Sequence, residues 1–197
     1  MSEHSLILAS ASPRRLELMQ QVGLFPEVLP ADIDESVREG EHASDYVVRM
    51  AIEKASLVAA RVETGSVVIG ADTSVVVDDE VLGKPDDEQH AAAMLSRLSG
   101  RQHQVLSAVC VISGQRVASR LSTTQVYFRQ VSAVEMVAYW RTGEPLGKAG
   151  GYAIQGLGAV FIEHIEGSYS GVMGLPLFET SALLQQAGVT IPGVAAG

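Results

Sequence analysis

The sequence is poor in cysteine, in positive charge and in long apolar runs, and each shortage closes off a class of protein. Cys110 is the sole cysteine, so no disulfide can form within the chain. Lysine and arginine number 14 against 23 aspartates and glutamates, giving a net charge of −9. That balance argues against a general nucleic-acid coat or an anionic membrane surface as partner. The first apolar run, Leu6 to Ala9, is far too short for a signal-peptide core or a membrane span. A soluble cytoplasmic protein is expected. No G-x-G-x-x-G follows the first strand and no Walker A run occurs, which removes the dinucleotide and P-loop fingerprints. No cysteine or histidine stands beside the acidic clusters to make a zinc site. Without an internal repeat or a long linker, residues 1–197 read as one domain.

What is present is organised around Ser10 to Arg15, S-A-S-P-R-R. The apolar run before it reads as a buried strand. Leu16, Leu18, Met19 and Val22 after it recur at helical spacing. Ser12 has the N-cap residue type, and Pro13 suits a first helical position because its missing N–H would have no intrahelical partner. A helix start presents free N–H groups and a partial positive charge. Arg14 and Arg15 add guanidinium groups that can grip phosphate oxygens in pairs. The stretch is either a phosphate site or an ordinary capped helix with solvated arginines.

Downstream, Gly23 marks a helix stop, Phe25 to Leu29 a short strand, and Ala31 to Glu35 an acidic loop. Residues 43–62 carry a helical period, with Ser44 as a cap. Lys54 falls near the apolar face of that helix, where its stem can pack while its head reaches water. Ser66 to Asp79 and Val81 to Pro85 read as a hairpin turning at Asp78-Asp79, followed by a helix capped by Asp86 and closed by Gly100. Gln104–Ile112 and Arg116–Phe128 read as an antiparallel pair, and Ala133–Arg141 as a helix capped by Ser132. Gly143–Gly158 is a glycine-rich loop of the kind in which backbone approaches something closely. Ala159–Ile165 reads as a strand, Leu175–Leu184 as the last helix, and the residues from Ile191 as a small-residue tail. Alternating strands and helices with one long antiparallel pair predict an α/β fold with a mixed sheet.

Asp72 is the acidic residue that most demands a role, because a carboxylate amid β-branched strand residues is costly unless it is paired or metal-bound. Asp32 and Asp34 are readily explained as a solvated turn. Glu35 is balanced between that and a hard oxygen ligand for Mg²⁺ or Mn²⁺. Lys84, between Gly83 and Pro85, either aims at a phosphate or sits on a solvated turn. Gln155 carries an amide that can read a base edge or hold its own loop. The five histidines are scattered and are set aside from catalysis. Ser168, Tyr169 and Ser170 fall into no nucleophile pattern.

S-A-S-P-R-R at Ser10, Glu35, E-K-A at Glu53, G-A-D-T at Gly70, G-K-P at Gly83, K-A-G-G-Y-A-I-Q-G at Lys148 and G-L-P at Gly174 occur in this order. From about Leu6 to Leu184 the chain resembles the Maf family of cytoplasmic nucleoside triphosphate pyrophosphatases; the tail from about residue 189 lies outside the resemblance. The resemblance implies an inosine-triphosphatase-like fold, an elongated mixed sheet flanked by helices with two lobes around a cleft. It implies hydrolysis between the α- and β-phosphates with a divalent metal, Mg²⁺ or Mn²⁺, and a homodimer. Carried over by position, Asp72 accepts the proton of the attacking water or binds the metal, and Glu35 helps hold the metal. Ser10, Arg14, Arg15, Lys54 and Lys84 line the triphosphate site. Arg14, Thr73 and Gln155 resemble the branch acting on dTTP and UTP. The branch acting on 7-methyl-GTP has Trp before the arginine, Gln for the threonine and Glu for the glutamine. A nucleotide-binding regulator of cell division, with incidental hydrolysis, is the alternative from the same residues.

Overall fold

One strand, Val67–Val77 (β3), runs through the middle of the molecule and carries Asp72 and Thr73 at its centre. The computed structural model describes residues 5–194; His4 and the last three residues of the tail lie outside the described residues. A mixed seven-stranded sheet runs in the order β2-β1-β3-β5-β6-β7, with β4 also paired to β3. The remaining strands are Leu6–Leu8 (β1), Glu27–Val28 (β2), Glu80–Leu82 (β4), Gln102–Ser113 (β5), Arg116–Phe128 (β6) and Ile162–Glu166 (β7). Helices Pro13–Gln21 (α1), Ala43–Ala59 (α2), Glu88–Leu98 (α3), Ala133–Arg141 (α4), Tyr169–Met173 (α5) and Leu177–Gln186 (α6) cover the sheet. Among the described residues no helix is long and apolar enough to cross a membrane.

The alternation of β3 sorts its side chains into two faces. Val68 and Val76 turn toward α2, joining Val47, Met50, Ala51, Ala55 and Val58 in one core cluster. Val67, Ile69 and Ala71 turn the other way, onto Leu18, Met19, Leu183 and Leu184. Further along that second face, Val75 and Val77 join a separate cluster with Leu95, Leu98, Phe128, Tyr139, Tyr152 and Phe161. Each fully buried aliphatic side chain stabilises the fold by roughly 1.5–3 kcal/mol. Thr73 stands between the last two clusters, at the floor of the groove that separates them.

The sheet has a gap at the same place. β1 pairs with β3 only as far as Leu8 opposite Ile69, and β4 begins only at Leu82 opposite Val75. Between these points no strand of the described residues covers that edge of β3, so Asp72 and Thr73 border the gap. β5 holds the opposite edge in continuous antiparallel register from Val67 to Val76.

Gly70 fits α2 onto β3. A Cβ there would collide with the carbonyl oxygen of Ala51 and fall 2.7 Å from the Ala55 nitrogen. The close approach is what brings Lys54, on the same turn of α2, within reach of Asp72.

Several local boundaries differ from the pattern in the sequence. His42, not Ser44, is the N-cap of α2. Asp87, not Asp86, caps α3, because its carboxylate accepts the His90 backbone N–H at 2.7 Å. Residues 157–161 form a 3₁₀ turn rather than the start of β7, and α5 is an extra one-turn helix. The tail is not loose where it begins: Ile191 is 3% exposed and packs with Leu24, Leu183 and Leu184.

Candidate active site

The gap in the sheet opens into a cleft of about 950 Å³. Ser10 to Arg15 from the β1–α1 junction, Glu35 from the acidic loop, Lys54 from α2 and Asp72 to Val75 from β3 line it on one side. Lys84 just after β4, Glu144, Lys148, Tyr152 and Gln155 among residues of the glycine-rich loop, and Val172 to Gly174 at the end of α5 complete the wall. Every residue that the sequence singled out for substrate or metal lies on this one surface: Ser10, Arg14, Arg15, Glu35, Lys54, Asp72, Thr73, Lys84 and Gln155.

Its centre is an ion triad. The Lys54 ammonium sits 2.7 Å from the Asp72 carboxylate and 2.6 Å from that of Glu35. Lys54 is only 6% exposed and Asp72 8%, so the ammonium does not reach bulk water as a snorkelling lysine would. Its two carboxylates pair it in the interior. Burial pushes the Glu35 carboxyl up, but the Lys54 ammonium, helped by Lys84 and Arg15, more than offsets it and holds the group below its ordinary range. Tyr46, which also lines the cleft, donates its hydroxyl to the Glu35 backbone carbonyl at 2.9 Å. Burial and the nearby carboxylates of Asp72 and Glu35 push that phenol up to about 12, so it remains a donor. Arg49 pins the same loop, binding both oxygens of Glu41 and the Ser36 carbonyl.

The two arginines of S-A-S-P-R-R separate in role. Arg15 is bound within the wall: its Nε donates to the Gly174 carbonyl at 2.8 Å and a terminal nitrogen donates to Ser10 Oγ at 3.0 Å. Burial lowers its pKa, an effect partly countered by Asp72. Arg14 makes no side-chain hydrogen bond or ion pair among the described residues, and neither does Lys84, so both can turn to a ligand. Ser12 is the N-cap of α1 but its hydroxyl makes no cap bond. Ser10 Oγ instead accepts the Ser12 N–H at 3.2 Å. No side chain of the described residues caps this helix start; Pro13 carries no N–H and the Arg15 N–H donates to the Ser12 carbonyl at 3.2 Å.

Thr73 lies on the face opposite Asp72. Its hydroxyl lies 3.0 Å from Ser107 Oγ and donates to the Gly174 carbonyl at 3.3 Å. Ser107 in turn donates to the Gly171 carbonyl at 2.6 Å. This chain ties the α5 end to the sheet floor and explains G-L-P at Gly174 as a wall element. Asp34 accepts the Ser36 N–H at 2.9 Å in an exposed turn and stands apart from the triad, as a solvated acidic turn should.

Tyr46, Glu144 and Lys148 also line the cleft, and none of them is among the residues that the sequence singles out for the site. Tyr46 looked like one more apolar position of α2. Lys148 opens the K-A-G-G run and lies near Arg14; burial first, and that like charge second, lower its pKa. Its place between two glycine-bearing turns was the available signal. Among the described residues no group of three or more His, Cys, Asp and Glu gathers as a metal site. The oxygen donors on offer are the pair Glu35 and Asp72.

Known proteins resemble the chain over nearly its full length. The family described as Maf-like protein matches residues 5–187. A protein of Alcanivorax borkumensis named dTTP/UTP pyrophosphatase is 54% identical over 185 residues, 93% of this chain and 96% of its own. One of Methylobacillus flagellatus with the same name is 52% identical over 189 residues, 95% of each chain. Two solved structures align loosely. A nucleoside-triphosphatase / dITP/XTP pyrophosphatase of Mycobacterium abscessus has a TM-score of 0.41 and 17% identity, over 64% of this chain and 73% of its own. The Ham1 protein of Staphylococcus aureus has a TM-score of 0.42 and 14% identity, over 62% of this chain and 71% of its own. Identity near one half with those relatives, under a family pattern that spans the whole sheet and every wall of the cleft, makes the relationship plain: this chain belongs to the Maf-like proteins.

Proposed function

We propose that the protein hydrolyses dTTP and UTP between the α- and β-phosphates, releasing the nucleoside monophosphate and pyrophosphate. The observation that carries this reading is the Lys54 ammonium held between Glu35 and Asp72 at the base of a cleft whose Arg14 and Lys84 are unpaired. A triphosphate brings several negative charges, and in phosphoryl transfer positioning and neutralisation of charge supply most of the rate. Relatives named dTTP/UTP pyrophosphatase support the substrate pair, and none of those named above supports a purely regulatory role.

In this reading Arg14, at the start of α1, and Lys84, after β4, hold the phosphate chain. Ser10 and Arg15 fix the β1–α1 turn against Gly174, and Lys54 orients Asp72 and adds positive charge. Asp72 accepts the proton of the attacking water as the oxygen–phosphorus bond forms, and the pyrophosphate oxygen leaves into the basic side of the cleft. Gln155, in the glycine-rich loop opposite, takes the base, and Thr73 shapes the floor beneath it. Glu35 and Asp72 supply the hard carboxylate oxygens that would hold a divalent cation such as Mg²⁺ or Mn²⁺ beside the Lys54 ammonium they already share, with water and phosphate oxygens as its other ligands. Such a cation would supply charge neutralisation at the phosphates and make bound water more acidic. The chain is proposed to act in the cytoplasm as a homodimer, with no nucleic-acid or membrane partner.

The test is Asp72→Asn. The variant should bind dTTP within a few-fold of the parent in a calorimetric titration, while pyrophosphate release falls by at least about 10²-fold, the low end of what a general base contributes. Unchanged turnover would remove Asp72 from the proton transfer.

A further inference from the structure

Glu144 lies on the cleft wall yet is neither near the triad nor exposed as a solvated acid. Its carboxylate accepts three hydrogen bonds, two from the glycine-rich loop and one from α4. Oε1 accepts the Tyr139 hydroxyl at 2.6 Å and the Gly158 N–H at 2.9 Å, and Oε2 accepts the Leu157 N–H at 2.8 Å. Tyr139 Oη in turn accepts the Ala153 N–H at 3.1 Å. One acidic side chain therefore grips both ends of the turn Ala153–Gly158, directly at 157 and 158 and through Tyr139 at 153. Gln155 stands in the middle of that turn. Burial pushes the Glu144 carboxyl up, and the hydrogen bonds from Tyr139, Gly158 and Leu157 more than offset it, keeping it ionised. Gly156 fits the same device: a Cβ there would run into the Glu144 carboxylate. The loop is tied elsewhere as well, Gly150 N–H donating to the Gly83 carbonyl at 3.0 Å beside Lys84, but among the described residues only Glu144 and Tyr139 hold the Gln155 turn itself by side chains.

We propose that Glu144 is a positioning residue for base selection, which fixes the Ala153–Gly158 turn so that the Gln155 amide meets the pyrimidine edge in one orientation. The proposal rests on the reading that this chain hydrolyses dTTP and UTP with Gln155 at the base. Hydrogen-bond selection of a base needs donors and acceptors placed to a few tenths of an ångström, which a turn rich in glycine does not supply alone. Bonds to a carboxylate are the strong kind, and three of them on one group stiffen the turn at a cost of one buried charge.

The experiment compares kcat and KM for UTP and CTP in the parent, Glu144→Gln, Tyr139→Phe and Gln155→Ala, with a melting curve for each. In Glu144→Gln an amide NH₂ faces donors, so one main-chain bond is lost outright. Its preference for UTP over CTP should shrink by on the order of tenfold through KM. Its kcat on UTP should stay within about threefold, since the triad is untouched, a change under 1 kcal/mol. Tyr139→Phe keeps the buried ring and should shrink the preference less. Combining Glu144→Gln with Gln155→Ala should lose no more preference than Gln155→Ala alone. A lower melting temperature with the preference intact in both Glu144→Gln and Tyr139→Phe would make Glu144 a merely structural group and overturn the proposal. If Gln155→Ala itself kept the preference, the base-reading premise would fail and the proposal with it. That failure is visible without any Glu144 variant.

Discussion

Replacing Lys54 by Met keeps most of the side chain's apolar stem and removes its ammonium, which chiefly tests the electrostatic part of the triad. Asp72 is 8% exposed and Lys54 is its partner at 2.7 Å. Removing one member of a buried pair costs about 3–5 kcal/mol, mostly because the other charge is stranded. Asp72 borders the cleft, and water entering it relieves part of that penalty, which places the expected loss near 3 kcal/mol. The Glu35 side chain is 46% exposed, so its bond to Lys54 adds little to stability. For a chain of this length 3 kcal/mol lowers the melting temperature by about 6–12 °C. Adding Asp72→Asn to Lys54→Met removes the stranded charge, and the double variant should recover about 2 kcal/mol of the loss. Both variants should be inactive, so stability is read by urea and thermal unfolding with matched m-values. A Lys54→Met loss under 1 kcal/mol, or a double variant no more stable than the single one, would refute the picture of a desolvated triad.

Two further outcomes follow from residues around it. Gly70→Ala should destabilise by about 1–3 kcal/mol, since the new methyl meets the backbone of α2 rather than a movable side chain. It should also cut kcat/KM by displacing Lys54; unfolding curves and turnover check the two effects separately, and a neutral variant would show that α2 can shift freely. Burial holds the His103 imidazole neutral, its pKa lowered to about 4, while its Nε2 lies 2.8 Å from the Tyr152 hydroxyl. The unfolded chain therefore binds the extra proton first, and stability that is full above pH 6.5 should fall as pH drops toward 4, by up to about 3 kcal/mol. A denaturant series from pH 7 to 4.5 reads that slope, and His103→Gln should flatten it; an equal slope in the variant would assign the effect to other groups.

The parts of the fold that the sequence made legible are those whose signal is local. Ser132 is legible as a cap, and the structure shows its bond from the Glu135 N–H to Ser132 Oγ, with a return bond from Ser132 N–H to the Glu135 carboxylate that completes a capping box. Asp78-Asp79 turns with positive φ at both residues, as a two-residue hairpin requires. The helix α5 was not legible, because five residues with a glycine among them give no period. Two adjacent aspartates at 86 and 87 look alike as caps, and only the bond to His90 separates them.

For the site, residue types and motif order carried far. Asp72 was legible because a carboxylate among valines demands a partner. That the partner is Lys54, 18 residues earlier, depends on how Gly70 lets α2 settle on β3. The division between Arg14 and Arg15 was not legible either, because it is made by the Gly174 carbonyl, far along the chain. Glu144 passed unnoticed for the same reason: its three hydrogen-bond donors come from α4 and from a turn some 13 residues on.

The central claim is tested most directly by identifying the products formed from dTTP, UTP, CTP, GTP, 7-methyl-GTP and ITP with Mg²⁺ or Mn²⁺ present. The account predicts fastest turnover of dTTP and UTP, with one monophosphate and one pyrophosphate formed per nucleotide. Orthophosphate and a nucleoside diphosphate as products, or no turnover of any of the six, would contradict it.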